Sequence, residues 1–138
     1  MSPIPRPKKF QRGDRLHVQA QQIWLVLVSK IMNSSREPAA PFKITYGKLA
    51  TALGYDDPRA GHTLGRQLGI VGDYCKMFGL PPLNVIVINQ ATGQPGAEVV
   101  LRDGKTVAEE QAAVMRKNWY EIRVPTTGTF RQVWDAKK

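Results

Sequence analysis

The sequence predicts an α+β fold, mostly α: a winged-helix-like helix-turn-helix with a small β-hairpin, a long N-terminal helix and a C-terminal helix. Three observations predict it. Residues 23–28 (Ile-Trp-Leu-Val-Leu-Val) are apolar on nearly every helical face, as in a helix covered on several sides. A short helical segment ending at Gly54 is followed by Asp57-Pro58, a strong helix opening. The β-branched run 83–89 then leads into a turn-rich loop with Gly93, Pro95 and Gly96.

Each element can be justified in order. Residues 1–15 form a basic arm with three prolines in the first seven positions and little apolar content, too little to offset the entropy of ordering it, so it reads as flexible. Residues 16–138 form a single domain, a size one core can support. Its first helix spans about 16–32, and a Ser- and Pro-rich loop follows at 33–41. Thr45 caps a short helix in which Leu49 and Leu53 lie one turn apart, and Gly54 stops it.

From Asp57 onward, Ala60, Leu64, Leu68, Val71, Cys75 and Phe78 form one apolar helical stripe. Gly61, Gly65, Gly69 and Gly72 accompany it, although an interior helical glycine costs about 1 kcal/mol relative to alanine. Two explanations stand: a break near Gly69, or close backbone approach to a neighbouring helix or a sugar–phosphate strand. Residues 83–89 read as a strand and 97–101 as its hairpin partner, ending at Asp103-Gly104. Thr106 and Glu109 make a capping box for a helix running to about Trp119. The apolar patches at 120–124 and 130–134 predict either a short strand or a cover for the core.

The net charge is +9, and its position matters more than its size. Residues 1–16 hold Arg6, Lys8, Lys9, Arg12 and Arg15 against Asp14, a net +4, while residues 43–97 carry only +2. A basic excess favours polyanions, because phosphate contacts release counterions without reading sequence. No apolar run approaches the roughly 18 residues that span a bilayer, so no membrane role is expected. The single Cys75 excludes an internal disulfide framework and suits a reducing, cytoplasmic setting.

Catalytic and metal chemistry find little support. His17 and His62 are the only histidines, and neither has an acid, base or nucleophile at a diagnostic spacing. No cluster of His, Cys, Asp and Glu has metal-ligand spacing, and no cofactor motif is present, since 93–96 lacks the lysine of a phosphate loop. Asp56-Asp57 is explained by helix capping, and Cys75 falls on the apolar stripe as an inert thiol.

Residues 44–50 (Ile-Thr-Tyr-Gly-Lys-Leu-Ala), followed by Pro58-Arg59-Ala60-Gly61, resemble the DNA-binding half of the alkylguanine-DNA alkyltransferases and alkyltransferase-like proteins. The resemblance covers about a third of the chain, from 44 to 89. It implies a winged helix on duplex DNA, with Tyr46 pressing on the target phosphate and Arg59 filling the gap left by a flipped base. The chain departs from the family where proline-cysteine-histidine-arginine is expected: Pro82-Leu83-Asn84-Val85 stands there, and Leu83 offers no thiolate. Gly61 also replaces the family's valine, with His62 following, and the stretch from Gly65 to Pro82 is longer than the family's. Alkyl transfer is therefore not expected.

The expectation is a non-enzymatic nucleic-acid-binding protein, for duplex DNA more than RNA. Its contacts would come from Tyr46, Lys48, Arg59 and Arg66, and from Arg6, Lys8, Lys9 and Arg12 of the arm. The alternative is a protein-binding adaptor or inhibitor, since winged helices also bind proteins; the size and make-up suit a phage or prophage accessory protein.

Overall fold

A computed structural model describes residues 3–137; the first two residues of the arm and the last residue of the domain lie outside the described residues. The chain is mostly helical. Helix α1 (Leu16–Met32) is followed by β1 (Ile44–Thr45), α2 (Tyr46–Ala52), a 3-10 turn (Pro58–Thr63) and α3 (Gly65–Met77). A second 3-10 turn (Leu83–Ile86) leads into β2 (Val87–Ile88), then α4 (Val107–Arg116), a third 3-10 turn (Trp119–Glu121) and α5 (Thr127–Ala136).

The core is a packing of α1, α3 and α5 around Trp24. Its ring meets those of Tyr74 and Trp119 edge-on, with centroids 5.4 and 5.7 Å apart, and lies 6.2 Å from Phe130. Ala20, Ile23, Leu27 and Ile31 continue the buried face of α1, at spacings of three and four. Helix α4 adds buried Val114 and Met115 to the core and also makes polar contacts. Gln111 Nε2 donates to the Val85 carbonyl, the Trp119 indole donates to the Val114 carbonyl, and Arg36 donates to the Met115 and Lys117 carbonyls at the C-terminal end of α4. A cation there complements the helix dipole. Glu110, fully buried, accepts from both the backbone N–H and the guanidinium of Arg102.

Several expected elements take a different form. The stripe opened by Pro58 is divided, but at Leu64 and not near Gly69: a 3-10 turn precedes α3. Of the two explanations for its glycines, close approach applies, and to two of them. A Cβ on Gly61 would lie 2.5 Å from the Tyr46 carbonyl oxygen, so Gly61 is needed for the backbone of α2 to approach. A Cβ on Gly72 would meet Asn84. By contrast Gly65 faces open space, and Gly69 would make only an ordinary contact, 3.8 Å from Glu98.

The expected hairpin is corrected. The sheet is the parallel pair β1–β2, with Ile44 opposite Val87 and Thr45 opposite Ile88, and the α2–α3 segment is its crossover. Only Val87–Ile88 of the 83–89 run is strand. The residues before it coil into a 3-10 turn after two prolines that lack N–H donors, with Asn84 Nδ2 donating to the Leu68 carbonyl. Residues 97–101 are irregular, because Val99 N–H turns back to the Gly96 carbonyl and Glu98 is drawn to Tyr46. What remains of a hairpin is one antiparallel bridge, Ile88 to Pro95. The tail is also corrected where a strand was one option: α5 is a helix capped by Thr126.

Candidate nucleic-acid interface

Thr45 ends β1 and caps α2, its hydroxyl accepting from the Lys48 N–H, so Tyr46 begins the helix with a fixed direction. The Tyr46 side chain points toward residues 96–98. Its hydroxyl donates to the Glu98 carboxylate and accepts from the Gly96 N–H, 2.9 Å away. Burial and the neighbouring Glu98 carboxylate push this hydroxyl well above its ordinary value, so it stays protonated. Tyr46 therefore ties the 96–98 segment to α2.

On the other side, Asp57 accepts from the Arg59 N–H at 2.9 Å and opens the 3-10 turn. It also holds the Arg59 guanidinium through a two-pronged ion pair at 2.7 Å. The Arg59 guanidinium hydrogen-bonded to it lowers the Asp57 carboxyl, and Asp57 raises the guanidinium in turn. Both side chains are exposed, so the pair is screened by solvent and salt.

Between these elements lies a groove of about 300 Å³. The first turn of α2, Pro58, Arg59, Gly61 and His62 form one side; Asn89, Gln90 and Ala91 form the other. No carboxylate lines it. The Asn89 turn is closed by its own backbone, with Gly93 N–H donating to the Asn89 carbonyl and Asn89 N–H to the Gln94 carbonyl. Sequence reasoning missed His62, Asn89 and Gln90 as groove residues. The dense turn signals at 89–96 were the clue, but only the β1–β2 pairing carries that turn beside α2.

The other expected site residues are distributed. Lys48 is exposed on α2 and makes no ion pair among the described residues. Arg66 lies on the first turn of α3, beside a separate open groove with Gly65, Gly69, Glu98, Trp134 and Lys137. Arg6, Lys8 and Lys9 are exposed along the arm. Arg12 is not available in the same way: its guanidinium lies 3.6 Å from Asp56 and 5.4 Å from the centre of the Tyr55 ring.

Among the described residues no three His, Cys, Asp or Glu side chains converge as a metal site, and no helix is long and apolar enough to cross a membrane. Comparison with protein-family models, with curated proteins and with solved structures finds no match for this chain.

Proposed function

We propose that the chain is a non-enzymatic nucleic-acid-binding protein, directed to duplex DNA through the α2–α3 segment and the basic arm. The observation that carries this reading is the groove beside α2. It is free of carboxylates and lined by Arg59, His62, Asn89 and Gln90, donors suited to phosphate and base edges. The exposed Arg59–Asp57 pair can open when a phosphate offers the guanidinium a new partner. Gly65, with open space about its Cα, leaves room beside Arg66 for close approach.

The order α2, 3-10 turn, α3 supports a helix-turn-helix reading with a long connection, the 89–95 turn standing in the place of a wing. The resemblance to the alkyltransferases gives Tyr46 a phosphate-pressing role. That role requires its hydroxyl to leave Glu98, so in this proposal Tyr46 acts first by holding the 96–98 segment.

Titration of a labelled duplex at several salt concentrations tests the proposal. If roughly six phosphates are neutralised, log affinity falls with log salt at a slope of about −5, and Arg59→Ala reduces that slope by about 1. Binding that does not respond to salt would overturn it. Parallel titrations with single-stranded DNA and RNA rank the three targets.

A protein-binding adaptor is the second reading, favoured by Met77 and Phe78. These are 55% and 62% exposed side by side at the end of α3, Met77 sharing an open groove with Val133 and Ala136 of α5. Salt-independent capture of an apolar partner, lost in Phe78→Ser, would favour it.

A further inference from the structure

We infer that Arg12 anchors the arm through the Tyr55 ring, and that the anchored arm closes over the α2 groove to form one composite clamp on a polyanionic strand. The inference rests on the nucleic-acid reading above. It begins with how the root of the arm is seated. Gln11 N–H donates to Asp14 Oδ2 at 2.7 Å, and Gln19 Nε2 donates to the Asp14 carbonyl at 2.8 Å, so residues 11–14 form a bound turn before α1. Arg12 lies over the Tyr55 ring and beside Asp56, and Phe10, Arg12, Gln19, Gln22 and Tyr55 line an open pocket of about 210 Å³. The loop after α2 therefore serves two purposes: Tyr55 and Asp56 hold the arm, while Pro58 and Arg59 edge the groove.

Distances make the two parts reachable. Asp56 and Arg59 are three residues apart, at most about 11 Å of chain. Pro3, Pro5 and Pro7 alternate along the exposed part of the arm and favour an extended polyproline-type chain of about 3.1 Å per residue. Measured back from Arg12, a fully extended arm carries Arg6 at most about 21 Å and Lys8 at most about 14 Å, enough to extend past Arg59. Residues 3–9 make no hydrogen bond or ion pair among the described residues, so their three cations are available to a ligand. Anchoring at Arg12 raises their effective concentration at the groove over that of a free tail.

The test is a double-mutant cycle in the full chain, read by fluorescence anisotropy of a labelled DNA duplex of about 20 base pairs. Tyr55→Leu removes the aromatic seat without changing charge. It should weaken binding about three- to fivefold when the arm is intact, and leave it unchanged when Arg6→Gln, Lys8→Gln and Lys9→Gln have neutralised the arm. Asp56→Asn gives a second, opposite-signed reading. It removes a carboxylate, so it should tighten binding in the neutralised-arm chain, and that gain should vanish or reverse when the arm is intact. Equal effects of either substitution in both backgrounds overturn the clamp while leaving the nucleic-acid reading in place. A wild-type chain that fails to bind the duplex, or binds an acidic protein instead, overturns both.

Discussion

Cys75 is fully buried on α3, and burial pushes its thiol up to about 12. The thiolate is the reactive form, so the folded protein should resist alkylation by iodoacetamide at pH 8 and react fully once unfolded in urea, as mass spectrometry would show. The shift also has a sign for stability. A proton held more tightly in the folded state contributes stability that is complete below the ordinary thiol value of 9.0 and declines as pH rises toward 12. Melting temperature should fall over that interval, and Cys75→Ala should make the fall shallower. At this scale the sequence was informative about Cys75, whose place on an apolar stripe is visible from spacing alone. It was silent about what Tyr46 binds within the fold, because Glu98 lies 52 residues away in a segment with no regular structure.

The short elements are governed by their ends. Thr45 caps α2, Asp57 caps the 3-10 turn, and Thr106 with Glu109 forms a complete capping box on α4, all through side chains whose positions the sequence displays. Gly54, at φ +96°, ends α2 as its position suggested. The glycines give a sharper prediction. Gly61→Ala drives a Cβ into the Tyr46 backbone, which cannot move aside without displacing α2, so it should cost about 1–3 kcal/mol of unfolding free energy. Gly69→Ala meets only Glu98 at 3.8 Å in a helix interior, so it should stabilise by about 0.5–1 kcal/mol. Urea denaturation of the two variants checks the contrast, and equal effects would contradict this division. Helix α5 shows a signal that was present but weighed as strand or cover: Phe130, Val133 and Trp134 are spaced by three and four.

Across the whole molecule, cooperativity depends on the aromatic cluster where α1, α3 and α5 meet. Phe130 is fully buried, and its ring stands 5.6 Å from that of Tyr74 and 6.2 Å from that of Trp24, so it links all three helices. Phe130→Ala should cost about 3–5 kcal/mol, a large part of the 5–15 kcal/mol expected for a domain. In urea the midpoint should fall with the slope unchanged, because the native surface is otherwise kept. The same assembly fixes the site, since the β1–β2 pairing carries the 89–91 turn to the first turn of α2.

What the sequence determined by itself was local: the bounds of α1, the caps, the stops, and the concentration of charge in the arm. These depend on residues within a turn or two of one another. The tertiary structure decided that the α2 backbone comes close at Gly61, and that the 83–86 run coils where its β-branched composition reads as strand. It also replaced the expected antiparallel hairpin with a two-residue parallel pair. Burial on every side removes the alternation that distinguishes a strand from a turn, and pairing across 43 residues depends on packing that no local pattern records. For the same reason the arm was legible as basic, whereas its seat on Tyr55 and Asp56 was not.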